Sequence, residues 1–170
     1  MLAPSALDQL GLTPFQLGIV GAVGGIGALL GAAVTTTVGL RLGTGRTIVA
    51  CHLATTGGVL VMVAAGAHLP AWTSIAVLAA GQGLYGLAMG MSNSHEMSFR
   101  QLVTPDGLQA RTNTTLRSLN RAVMVVAAPL AGILTDAWGI RPTLLVAAAV
   151  FALVASGLAA SSFRTVRAPV

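Results

Sequence analysis

The chain has 170 residues, of which 55% are hydrophobic and only 8% are charged, with a formal net charge of +5. About 25% of the residues of an ordinary soluble domain are charged, so this composition excludes a soluble globular fold. All nine basic residues are arginines that lie between the apolar runs or near their ends, and this excludes nucleic-acid binding, which needs an exposed basic patch.

Five apolar stretches follow one another along the chain. They cover residues 15–39, 47–67, 72–91, 116–137 and 142–163. Each is long enough for a helix of roughly 20 residues that crosses a bilayer. Thr13 and Pro14 precede the first stretch, a pair that is typical of a capped helix with proline in its first turn. The expected fold is therefore an all-α membrane protein with about five transmembrane helices.

The breaks between the stretches differ in length and charge. Residues 39–46 form a short, basic, glycine-rich turn, and residues 67–71 form a short uncharged turn. Residues 92–115 are the one long polar segment, which we expect to be a cytoplasmic loop. Within it, Thr104 is expected to cap a helix whose first turn holds Pro105 and Asp106.

The arginines predict the orientation in the membrane. Five spans place eight of them on one side of the bilayer and only Arg141 on the other. The eight are Arg41, Arg46, Arg100, Arg111, Arg117, Arg121, Arg164 and Arg167. Because cytoplasmic loops carry the excess of arginine, the N-terminus is expected outside the inner (plasma) membrane and the C-terminus in the cytoplasm. An odd number of spans with an outer N-terminus also indicates that a preceding helix is missing.

Three segments carry a resemblance to a known family. They are the glycine-rich first span with its turn GLRLGTGR, the segment SFRQLVTPDGLQAR, and APLAGILTDAWGIRP near the C-terminus. Together they resemble the C-terminal half, helices eight to twelve, of a major facilitator superfamily transporter. The resemblance is closest to the bacterial exporters of drugs, macrolides and siderophores.

The resemblance also supplies candidate motif residues. Arg41 and Gly43 match the R-x-G of the family's cytoplasmic loop motif G-x-x-x-D-R-x-G-R-R, and Arg46 is a displaced basic residue. Leu40 and Thr36 replace the aspartate and the first glycine of that motif. In the second segment, the matching residues are Arg100, Pro105, Asp106 and Arg111. The alternative is that the arginines of this segment only anchor an amphipathic linker at the membrane surface.

The third span carries the candidate substrate contacts. Gln82 and Tyr85 lie three residues apart and so share a helix face. In the family this span lines the central cavity, and polar groups inside a membrane usually face protein or water. An interhelical hydrogen bond is the structural alternative for both side chains.

The resemblance implies transport of a small organic solute, as efflux by proton antiport when the chain is part of a complete transporter. The implied partners are the lipid bilayer, the solute, and a missing N-terminal half or another membrane polypeptide. The alternative is a non-transporting membrane subunit or a truncated gene remnant. No cofactor is expected, and no nucleophile–base arrangement supports an enzyme.

Four other residues have two readings. For His52 and for the pair His95–Glu96 the alternative is a metal or proton-relay role, but no second ligand lies at helical spacing, so we expect neither role. Asp136 is either a proton carrier or, as we expect, an interfacial residue paired with Arg141.

Overall fold

The computed structural model describes residues 13–65 and 70–162, and these residues form five α-helices and no strand. In chain order they are α1 (Pro14–Leu42), α2 (Thr44–Ala64), α3 (Ala71–Val103), α4 (Asp106–Trp138) and α5 (Ile140–Ala160). All five are long and apolar enough to cross a membrane, which confirms the expected fold class. Most of the predicted outer turn at 67–71, the last residue of the predicted fifth span, and Arg164 and Arg167 lie outside the described residues.

Helix α1 begins at the predicted cap. The Gln16 backbone N–H donates to the Thr13 hydroxyl at 3.3 Å, and the Thr13 N–H donates to the Gln16 side chain at 2.8 Å. Pro14 occupies the first turn, where its missing N–H is not needed. This reciprocal pair satisfies two donors that a helix start would otherwise leave free.

Two pairs of helices are joined through a single residue. Gly43 separates α1 from α2 with φ 82°, and Gly139 separates α4 from α5 with φ 89°. Their ψ angles of 155° and 169° place both in a region that is essentially restricted to glycine. The predicted glycine-rich turn before α2 is thus even tighter than expected.

The expected loop at residues 92–115 is helical, apart from Thr104 and Pro105. Helix α3 continues to Val103, and α4 begins at Asp106. Hydropathy marks where a helix leaves the bilayer, whereas the helix itself ends where its backbone bonding stops. Each of these helices has 33 residues, a length of about 50 Å that exceeds the roughly 30 Å hydrocarbon core.

The predicted cap at Thr104 is wrong. Thr104 ends α3, where its N–H donates to the Arg100 carbonyl at 3.1 Å, and Pro105 precedes α4 without a side-chain cap. Thr104 therefore belongs to the helix before it.

Helix α3 is the centre of the bundle. It packs along α1 on one side and α2 on another, while α5 packs against α2 and α4 contacts mainly α5. Every residue of α4 is described, and none of them is buried. Helix α4 therefore stands beside the bundle rather than within it.

Glycines bring the backbones of α1 and α3 into contact. Gly24, Gly27 and Gly31 are buried along one face of α1, as their helical spacing predicts. A Cβ on Gly27 would meet the Gly83 carbonyl oxygen, and one on Gly31 would meet that of Leu87. The reciprocal glycine on α3, Gly86, lies equally close to α1.

Arg141 does not pair with Asp136, contrary to expectation. No ion pair joins these two described residues, and Asp136 is exposed. Arg141 donates instead to the Ala65 carbonyl at 3.4 Å, just beyond the end of α2. A helix C-terminus carries partial negative charge, so this carbonyl is a favourable acceptor for the guanidinium.

Candidate functional site

Gln82 lies in the contact between α1 and α3. Its Cγ is only 2.7 Å from the position of a Cβ on Gly24, so the stem of the side chain fills the space that glycine leaves. The side chain is half-buried, and no residue in the described part of the chain hydrogen-bonds its amide. Since an amide can both donate and accept, this group is available to bond to a solute, water or another helix.

Tyr85 lies at a different contact, between α2, α3 and α5. Its ring meets that of Phe151 edge-on, with centroids 6.3 Å apart and planes at 78°. A Cβ on Gly58 of α2 would come within 2.9 Å of the Tyr85 backbone nitrogen. Val59, Met62 and Ala148 form the buried cluster against which the ring packs.

The structure does not bring Gln82 and Tyr85 together on one open surface. Three residues along a helix correspond to a rotation of about 60° from the same direction, and α3 has neighbours on several sides. This rotation is enough to direct one side chain toward α1 and the other toward α5. Contact of these residues with a solute therefore stays a prediction.

An apolar groove of about 460 Å³ lies elsewhere, on α4. Its lining residues are Ala122, Val123, Val126, Ala127 and Leu130. They come from α4 alone, and all of them are exposed. The groove is thus a feature of the outer surface and includes neither Gln82 nor Tyr85.

The first candidate motif lies at the junction of α1 and α2. Arg41 is in the last turn of α1 and Arg46 in the first turn of α2, and both side chains are exposed. Gly43 between them donates its N–H to the Gly39 carbonyl at 2.9 Å and accepts a bond from the buried Thr47 hydroxyl at 2.8 Å. The tight turn therefore holds two arginines at one end of the bundle.

The second candidate motif lies at the junction of α3 and α4. Arg100 is half-buried in the last turn of α3, whereas Pro105, Asp106 and Arg111 are exposed at the start of α4. Their roles were inferred from the resemblance. In the structure Arg100 lies on α3, whereas Asp106 and Arg111 lie on α4.

Gln109 was not singled out from the sequence, yet it connects both sides of this junction. Its amide nitrogen donates to the Asp106 carboxylate at 3.0 Å, and it lies 3.4 Å from the Gln101 carbonyl and 3.5 Å from that of Thr104. The i, i+3 spacing of Asp106 and Gln109 was visible in the sequence. The contact with Gln101 depends on how α3 and α4 are placed relative to each other, which the sequence does not specify.

The histidines have separate environments. His52 on α2 is half-buried, and its Nδ1 lies 2.9 Å from the Ile48 carbonyl. His95 on α3 is only 3% exposed, and its Nε2 has no partner among residues 13–65 and 70–162. Ser92 donates to the Glu96 carboxylate at 2.7 Å. Within the described residues, no group of three or more His, Cys, Asp or Glu side chains could hold a metal ion.

Comparison with known proteins supplies one match. A family model described as Major Facilitator Superfamily matches residues 1–170. No curated protein and no solved structure matches the chain significantly.

Proposed function

The chain belongs to the major facilitator superfamily, and we propose that it is part of an exporter that moves a small organic solute in exchange for protons. Members of this family transport small solutes across membranes and are not enzymes in general. The family match along the whole chain is the observation that carries the proposal of transport. The resemblance of its segments to drug, macrolide and siderophore exporters supports the direction and the class of solute.

The proposed transporter includes helices beyond the five described ones. Alternating access rocks two halves of such a transporter around a site near the middle of the bilayer. Helix α4 supports an assembly of this kind, because it contributes no buried residue although every one of its residues is described. The proposed partner is an N-terminal transporter half or another membrane polypeptide that packs on α4.

The same surface of α4 also supports the second candidate function. A membrane subunit that stabilises another polypeptide without transporting a solute would need the same exposed helix. Export by the assembled protein distinguishes the two candidates. The proposed exporter moves a solute and needs a proton gradient to do so, whereas a non-transporting subunit moves none.

Gln82 is the stronger of the two proposed solute contacts. Its amide can both donate and accept hydrogen bonds, and the described chain leaves it without a partner. Tyr85 is proposed to offer its hydroxyl, while its ring stays on Phe151. The Gln82 amide at the α1–α3 contact and the Tyr85 side chain at its contact with α2 and α5 would meet different parts of a solute that is partly apolar.

The export test compares the chain alone with the chain co-expressed with its membrane partner, using ethidium and erythromycin as probes. We expect export only from the assembly, and we expect an uncoupler that collapses the proton gradient to abolish it. Transport by the isolated chain at the rate of the assembly would contradict the half-transporter, and would indicate a homo-oligomer that builds its pathway by symmetry.

We also propose that both motif junctions face the cytoplasm, because most of the arginines lie on their side of the membrane. The test is single-cysteine labelling in a Cys51→Ala background. An impermeant maleimide added to intact cells should label His68→Cys and should label Gly107→Cys only after the cells are permeabilised. Gly107 suits this test because no neighbouring atom lies within 4 Å of a Cβ placed there. If Gly107→Cys is labelled as strongly as His68→Cys in intact cells, the predicted orientation is wrong.

A further inference from the structure

We propose that His95 is a proton-binding site that holds the C-terminal ends of α1 and α3 together when it is neutral and releases them when it is protonated. The inference rests on the packing of the described chain and not on the proposed transport, so either can fail without the other.

The imidazole of His95 fits into a notch in α1. The notch is made by Gly39, where a Cβ would collide with the ring: it would meet Cε1 and lie 3.2 Å from Nε2 and 3.5 Å from Nδ1. Thr35, one turn earlier on the same face of α1, presents its backbone to the ring as a hydrogen-bonding partner. The side chain is thereby 97% enclosed, given its exposed fraction of 3%.

One nitrogen of this enclosed ring is left without a partner. Nε2 is buried and has no hydrogen bond within the described part of the chain. Buried polar atoms are nearly always hydrogen-bonded, so an orphaned one points to a site of function or strain. A neutral imidazole can leave one nitrogen as an unused acceptor, whereas an imidazolium carries two donors that both need acceptors.

No counter-charge is arranged around His95. The ionisable side chains near this level of the packed helices are Arg41 on α1, Arg46, Cys51 and His52 on α2, and Glu96 and Arg100 on α3. None of these described groups forms an ion pair or hydrogen bond with the ring. Glu96, the one carboxylate among them, accepts a hydrogen bond from the Ser92 hydroxyl at 2.7 Å.

Protonation therefore changes whether the ring can stay in the notch. Histidine is the side chain whose charge ordinarily changes between about pH 5 and pH 8. A charged ring in this position would be buried without a partner, which is costly, and it reaches water by leaving Gly39. Since the notch is part of the α1–α3 contact, the ends of the two helices then separate.

The experiment measures the distance between these ends. Spin labels are attached at Leu40→Cys and Met97→Cys in the Cys51→Ala background of the full chain in liposomes, because both side chains are exposed, at 71% and 47%. Pulsed electron paramagnetic resonance is recorded at about pH 8 and about pH 5, on either side of the ordinary titration of histidine. The mean distance is expected to lengthen by roughly 1–2 Å at the lower pH, the scale of helix shifts at interfaces.

Variants assign this response to His95. His95→Gln and His95→Asn are neutral at both pH values and should keep the short distance at each. His52→Gln is the matched control and should respond like the parent chain. A parent distance that does not change with pH overturns the proposal, as does a response that survives in either His95 variant or disappears in His52→Gln. If both His95 variants fail to fold, the proposal is still tested by the other two proteins. A distance that does not change with pH in the parent chain, or a response that disappears in His52→Gln, overturns it.

Discussion

Gly27→Leu and Gly31→Leu are expected to remove most of the folded protein, whereas Leu29→Ala is expected to retain it. At Gly27 and Gly31, even a Cβ would collide with the α3 backbone, which cannot move aside as a side chain can. Leu29, by contrast, is 73% exposed. Overpacking of a tight contact lowers stability by about 1–3 kcal/mol and sometimes more. Because the obstructing atoms belong to the backbone, we expect a loss of about 3 kcal/mol or more for these two variants. Yield from membranes and thermal unfolding in detergent measure the effect.

Gly25→Leu is the matched control for this experiment. It makes the same change on the same helix, at a position where no neighbouring atom lies within 4 Å of a Cβ. Loss of helix flexibility and the cost of membrane insertion are thus similar in all three leucine variants. If Gly25→Leu is as unstable as Gly27→Leu, the close contact of α1 with α3 does not hold this part of the bundle together.

Gln82→Met and Tyr85→Phe are expected to lower export of the assembled protein about tenfold each, as the loss of one hydrogen bond of about 1.4 kcal/mol would do. Each change removes a polar group and keeps the packing: methionine retains the stem that fills the space at Gly24, and phenylalanine retains the ring that meets Phe151. The measurement is proton-driven export of ethidium from cells, normalised to the amount of protein in the membrane.

Asn93→Ala provides the control, because Asn93 is an exposed polar residue on the same helix. Its export should equal that of the parent protein. Unchanged export in Gln82→Met and Tyr85→Phe would remove both residues from the solute site. Reduced membrane abundance would instead assign them to folding, which is the structural role that an interhelical contact would have.

The number and kind of the helices were predictable from the sequence, because each physical signal is local. A run of about 20 apolar residues specifies a membrane helix by itself, and the Thr13 cap uses residues within one turn. The prediction of a loop at residues 92–115 was wrong for a related reason. Its polarity reports the environment of the chain, while residues such as Gln, Glu, Arg and Met also favour a helix in water.

The candidate site was less predictable, because it depends on which helix lies where. The spacing of Gln82 and Tyr85 predicts a shared helix face, yet spacing does not say where α1 and α5 stand, and the two side chains contact different helices. The unpartnered nitrogen of His95 likewise depends on which helix lies beside it. It arises where the ring packs against Gly39, 56 positions away in the chain. No local sequence pattern predicts that these two residues meet.

The close approach of α1 to α3 has a consequence for how the bundle is ordered. Burying a long side chain costs up to about 2 kcal/mol in lost rotamer freedom, whereas glycine has no rotamers to lose. Gly27, Gly31, Gly86 and Gly90 also bring Cα–H groups beside carbonyl oxygens of the facing helix, where each weak hydrogen bond contributes about 0.5–1 kcal/mol. At these four glycines the two helices therefore meet with almost no loss of side-chain conformational entropy. The contact there is made by backbone alone, and it sets the depth of approach without requiring a side chain to be ordered first.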